Sequence, residues 1–137
     1  MRHALPLLAV LCLAFAPAPL PKQCHADSQR ELQAMQGAWI ERFSGSAVVT
    51  IIGDRMEYSP NYTWKLMLYT KANPKRVTAT GVGSEVAGET RQGIYRLEGE
   101  KLTICWRRNS VSKLEWPVSD APFHKDFWIE VFSRVKP

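Results

Sequence analysis

From Trp39 onward, apolar and polar residues alternate with a period of two. Leu102, Ile104 and Trp106 fall on one face of a run whose other face carries Thr103, Cys105 and Arg107. Tyr62, Trp64, Leu66 and Leu68 likewise oppose Thr63, Lys65, Met67, Tyr69 and Lys71. Successive side chains of a strand point to opposite faces, so this pattern predicts strands with one face towards a core and one towards water. About eight strands are expected, near Trp39–Phe43, Ala47–Ile52, Arg55–Ser59, Tyr62–Thr70, Arg76–Gly81, Glu89–Leu97, Lys101–Arg107 and Lys125–Val135. Gly53-Asp54 and Glu98-Gly99 are the sharpest hairpin signals, because glycine supplies the positive φ that tight loops require. Asn73-Pro74, Gly81 to Gly88 and Trp116 to Pro122 read as further loops, the glycines of the second serving an exposed hairpin loop.

Ahead of the strands the period is helical. Ser28-x-x-Glu31 matches a capping box and predicts a short helix from about Asp27 to Gln36, ended by Gly37, with Leu32 and Met35 on its docking stripe. Earlier still, Met1, Arg2 and His3 precede an apolar run from Leu5 to Phe15 broken only by Pro6. A membrane-spanning helix needs about 20 apolar residues, so the run predicts a secretory signal peptide over residues 1–26; small residues suited to cleavage stand at Ala14-Phe15-Ala16 and at Cys24-His25-Ala26, and Pro17 just after the first favours the second. The expected address is the periplasm, cell envelope or exterior, with no transmembrane span once the leader is removed. Residues 27–137 then form one domain.

Composition changes meaning once the leader is set aside. The whole chain of 137 residues carries a formal +5. Residues 1–26 contain two of its three cysteines, two of its three histidines and only two charged residues, both basic. The remaining chain is a weakly basic domain large enough for a core, which excludes disorder, collagen and a disulfide scaffold. Cys105 is left without a disulfide partner and reads as a buried, inert thiol. Strands joined by short connections predict an antiparallel up-and-down barrel of the lipocalin-like kind, which removes exposed edges; a two-sheet sandwich is the competing all-β solution.

Several stretches carry a resemblance. Leu32-x-x-Met35-Gln36-Gly37-Ala38-Trp39, Pro74-Lys75-Arg76-Val77, the run Gly93-Ile94-Tyr95-Arg96-Leu97-Glu98-Gly99-Glu100-Lys101-Leu102-Thr103-Ile104-Cys105 and the closing Phe132-Ser133-Arg134 resemble an uncharacterised domain family expanded in planctomycete bacteria. The likeness spans Glu31 to Lys136. It implies a small, usually exported, lipocalin-like barrel without an established activity. In place of that family's Arg-Pro before a Phe in the penultimate loop, this chain has Lys113-Leu114-Glu115-Trp116-Pro117. Gly37-x-Trp39 also resembles the lipocalin Gly-x-Trp signature, and Arg134 is placed like the arginine that covers that tryptophan. The middle lipocalin signature, Thr-Asp-Tyr, is absent. The resemblance thus implies a barrel-base motif of Gly37, Trp39 and Arg134.

Catalytic chemistry is thinly represented. After cleavage His124 is the one histidine left for proton transfer near neutral pH, and no nucleophile elbow accompanies Ser119 or Cys105. Gly81-x-Gly83-x-x-x-x-Gly88 lacks the lysine of a phosphate loop, and no Cys or His stands at metal-ligand spacing. The sequence therefore points to a non-enzymatic domain with no cofactor, metal or nucleic-acid partner. Lys71, Lys75, Arg76, Arg107 and Arg108 are expected near one end of the barrel as solubilising or envelope-facing charges.

Aromatic enrichment is the one compositional feature with functional weight. Trp64, Tyr69, Tyr95, Trp106 and Trp128 are the candidate ligand-binding residues should the barrel hold a cavity, although strand parity prevents all five from facing inward. The residues are compatible with two roles: a carrier of a small apolar ligand or a protein partner, and an enzyme-inhibitor or interaction module with a filled barrel and working loops. A hydrolytic enzyme stands as an outlier.

Overall fold

A computed structural model describes residues 22–43, 45, 47–108, 116 and 126–136. Helix α1 (Lys22–Met35) precedes eight strands: β1 (Gly37–Glu41), β2 (Val48–Ile52), β3 (Arg55–Ser59), β4 (Tyr62–Tyr69), β5 (Arg76–Gly81), β6 (Thr90–Glu98), β7 (Lys101–Arg107) and β8 (Phe127–Arg134). Each strand pairs antiparallel with the next, and β1 pairs back onto β8 through Trp39↔Arg134 and Glu41↔Phe132, so the sheet closes into a barrel in sequence order. Closure excludes the two-sheet sandwich and leaves no sheet edge unpaired.

Connections alternate between the two ends of such a barrel. The end carrying α1 also holds the β2–β3, β4–β5 and β6–β7 turns; the opposite, distal end holds the β1–β2, β3–β4, β5–β6 and β7–β8 connections. Lys71, Lys75 and Arg76 accordingly lie at the β4–β5 turn, and Arg107 and Arg108 where β7 ends distally. The alternation of ends divides the basic residues that the sequence places together.

At the α1 end the core is apolar. Met35, Trp39, Val49, Ile51, Leu102 and Phe132 are almost fully buried. The Trp39 indole N–H donates to the Met35 carbonyl at 2.8 Å. Arg134 lies over the Trp39 ring, its guanidinium carbon 4.2 Å from the ring centroid. The same guanidinium donates to the carbonyls of Gln36 and Ala34 and pairs with Glu100 at 3.0 Å. These are carbonyls of the helix terminus that have no partner within the helix, so Arg134 caps α1 while covering Trp39. Gly37, at φ +118°, turns the chain from helix to strand, and a Cβ there would meet the Arg134 guanidinium at 3.3 Å.

Ser28 and Glu31 do not form a capping box. Helix α1 starts at Lys22, which places both inside it. Ser28 donates instead to the Leu68 carbonyl at 2.9 Å, and Glu31 accepts from the Tyr95 hydroxyl and pairs with Lys75. Gln36 pins the helix end to the β2–β3 hairpin: its side chain accepts from the Gly53 N–H at 2.6 Å and donates to the Gly53 carbonyl at 2.9 Å.

Two further features depart from the sequence pattern. Part of the outward faces of β6, β7 and β8 is not turned to water: Ile94, Cys105, Ile129 and Val131 form a second apolar cluster with Trp116 and Phe127 packed against it, while Gln92, Arg96 and Ser133 on the same faces stay exposed. Cys105 is fully buried there, and burial pushes its thiol up to about 11. The glycine loop after β5 is also not an exposed hairpin. Gly81 and Gly83 are buried and Val86 is 2% exposed, folded into the main core. Backbone bonds from Val82 and Gly83 to the Thr63 carbonyl and from Glu85 to the Asn61 carbonyl hold the loop against the start of β4.

Candidate functional site

The distal half of the barrel differs chemically from the α1 half. Strand parity points Tyr58 of β3, Trp64 of β4, Arg91 of β6, Trp106 of β7 and Trp128 and Glu130 of β8 into the interior, with Tyr62 at the rim. Trp106 and Trp128 are directly paired across β7 and β8. Tyr62 stands edge-on to both Tyr58, at 5.4 Å between ring centroids, and Trp64, at 5.8 Å. Edge-to-face contacts of this kind are worth about 0.5–1.5 kcal/mol beyond burial.

Glu130 is the deepest ionisable group of the cluster, at 3% exposure. The Tyr58 hydroxyl donates to both of its carboxylate oxygens, at 2.9 and 3.0 Å, and the Trp106 indole N–H donates at 2.6 Å. Such bonds favour the carboxylate, as does Arg91, but removal from water outweighs them and Glu130 is held above the ordinary carboxylate range. Burial, reinforced by the Glu130 charge, pushes the Tyr58 phenol well above its usual value.

Arg91 is the permanent cation here. Its guanidinium carbon lies 4.1 Å from the Trp64 ring centroid and 4.9 Å from that of Trp128, and Nη2 donates to the Tyr62 hydroxyl at 3.0 Å. At the rim it stands 3.7 Å from Glu89, whose side chain is 55% exposed. A pair that open to solvent is worth less than about 1 kcal/mol. The Trp64 indole N–H is buried and finds no hydrogen-bond partner among the described residues. Leaving such a donor unmet costs about 1–3 kcal/mol.

The five aromatic residues singled out from the sequence separate in space. Trp64, Trp106 and Trp128 converge in the distal interior. Tyr95 also points inward, but towards α1, where its hydroxyl bonds Glu31. Tyr69 is 46% exposed on the outer surface, beside Arg76 and Gln92 in a shallow depression of about 230 Å³, because it has the opposite parity to Trp64, Leu66 and Leu68. Tyr58, Arg91 and Glu130 escape notice in the sequence. Their signal is parity with known inward residues: Arg91 with Tyr95 and Leu97, Glu130 with Trp128 and Phe132.

No cluster of three or more His, Cys, Asp or Glu side chains that could hold a metal ion occurs among the described residues. Among them, too, no helix is long and apolar enough to cross a membrane. His124 and Ser119 lie outside the described residues. Comparison of the chain with protein-family models, with curated proteins and with solved structures finds no match.

Proposed function

We propose that this chain is an exported, lipocalin-like binding protein that holds a small molecule against the aromatic wall of its distal half. The observation that carries this reading is the convergence of Trp64, Trp106 and Trp128 inside one end of the barrel, with Tyr62, Arg91 and Trp128 only partly buried and so in reach of solvent. Small-molecule sites pair apolar and aromatic walls with a few placed polar groups, and the mouths of barrels are a common place for them. Arg91 and the Trp64 N–H are such groups. The ligand is therefore amphipathic rather than purely apolar.

The apolar leader supports export. The contacts that dock α1 come from Ser28, Glu31, Leu32, Met35 and Gln36, all beyond Ala26, so cleavage after Ala26 leaves them in place. An interaction module working through the Gly81–Gly88 loop has less support, because that loop is folded into the core around Val86; the other loop such a module would use, Ser110–Pro122, lies outside the described residues apart from Trp116.

One mass-spectrometric experiment on protein recovered from an exporting host tests both parts. The expected intact mass corresponds to a chain beginning at Asp27, and native spectra are expected to show a co-purifying small molecule whose removal changes tryptophan fluorescence. A chain that keeps its leader removes the export reading. A chain with nothing bound, and no fluorescence response across a metabolite and lipid panel, removes the binding reading.

A further inference from the structure

Resting on that binding reading, we propose that the distal site selects planar aromatic acids: molecules whose ring stacks on the indoles and whose carboxylate or carbonyl oxygen accepts from the Trp64 N–H and Arg91. Three observations point this way. The Trp64 indole N–H is a buried donor without a partner among the described residues, and only an acceptor satisfies it. Arg91 lies over Trp64 and Trp128 together, which places a permanent positive charge beside that donor. Its acidic neighbour at the rim, Glu89, is solvent-exposed and 3.7 Å away, so it is a weak competitor for the guanidinium.

Two buried carboxyls lie at this end, Glu130 and Glu41, and both already have partners. Both Glu130 oxygens are engaged by Tyr58 and one also by Trp106, which commits that group to holding the aromatic wall in position, and Glu41 accepts from the Phe43 N–H at 2.9 Å. A cationic ligand would enter against Arg91 and leave the Trp64 N–H unmet. An anionic one meets the Trp64 N–H and a guanidinium suited to planar carboxylates.

Three probes sharing one ring separate the outcomes by calorimetry: indole-3-acetate, indole-3-acetamide and tryptamine. Indole-3-acetate is expected to bind at least tenfold more tightly than tryptamine, with the amide between them. Trp64→Phe keeps the ring and deletes the donor. It is expected to weaken indole-3-acetate about tenfold, the worth of one hydrogen bond to a charged acceptor. Arg91→Gln is expected to abolish the preference for the acid over the amine, whereas Arg91→Lys retains part of it; the melting curve of each variant checks that it is folded. Equal binding of all three probes by the parent, or an unchanged affinity in Trp64→Phe, overturns the acid preference and leaves the binding reading standing. Failure of all three to bind likewise overturns the aromatic-acid proposal, and the binding reading then stands or falls by the native spectra and the fluorescence panel.

Discussion

Glu130 sets a carboxyl group among indole and phenol rings, and the balance of forces on it is readable in solution. Tyr58, Trp106 and Arg91 favour its ionised form, while burial and the neighbouring Glu41 oppose it and prevail. In the folded chain the carboxyl is thus protonated more readily than in the unfolded chain. Its contribution to stability is complete below the ordinary carboxylate range. That contribution falls as pH rises from there through the raised native value, because the unfolded chain then binds fewer protons than the folded one. Glu130→Gln removes the titration while keeping an acceptor for Tyr58 and Trp106. Urea unfolding of parent and variant from about pH 4 to about pH 8, a span above the ordinary carboxylate value, is expected to show the difference moving in the variant's favour as pH rises. A difference that stays constant would mean that Glu130 titrates like a solvated carboxylate. Residue-level legibility in the sequence was uneven for a physical reason. Trp64 and Trp106 stand in clean alternations, but Phe127–Arg134 is apolar on both faces, since Ile129 and Val131 are covered as well. With both faces apolar, the alternation in β8 is faint, and only its shared parity with Trp128 and Phe132 marks Glu130 as an inward charge.

Between strands, the β5–β6 loop shows how a turn signal can hide a packed element. Glycines at 81, 83 and 88 fit an open hairpin, yet the loop lies so close to β4 that a Cβ on Gly83 would sit 2.3 Å from the Asn61 carbonyl oxygen and 2.7 Å from the Thr63 nitrogen. Neither is the end of a flexible side chain, so the backbone itself must shift. Gly83→Ala is therefore expected to lower stability by about 1–3 kcal/mol, the usual range for overpacking, measured by chemical denaturation. A variant as stable as the parent would show that the loop is not docked. The strands themselves were legible almost to their ends, because the alternation of one buried and one exposed face holds through β2, β4 and β5. Helix α1 was legible in existence and not in its start. Ser28 and Glu31 have the spacing of a cap, but Leu68, Lys75 and Tyr95 lie far away in sequence and engage them first. Local patterns cannot announce partners that only barrel closure brings near.

Closure joins residues about as far apart as the domain allows: Trp39 of β1 is in register with Arg134 of β8, and the two also stack. The chain thus has one seam, sealed at the α1 end by an indole that is fully buried and hydrogen-bonded to Met35. Packing there and polar chemistry at the distal end divide the barrel into a half that holds the fold and a half free to specialise. Trp39→Ala tests the first half of that division. Removing a buried tryptophan is expected to cost about 3–5 kcal/mol, and Arg134 loses in addition a cation–π contact worth about 0.5–2 kcal/mol. Because one continuous sheet links the seam to the distal cluster, the loss is expected to be felt everywhere at once. Far-ultraviolet dichroism, reporting the sheet, and near-ultraviolet dichroism, reporting the distal indoles, should give coincident transitions at a lower denaturant concentration than in the parent. A Trp39→Ala protein that melts like the parent would remove the seam from its structural role, and transitions that separate would show that the distal half folds independently of it.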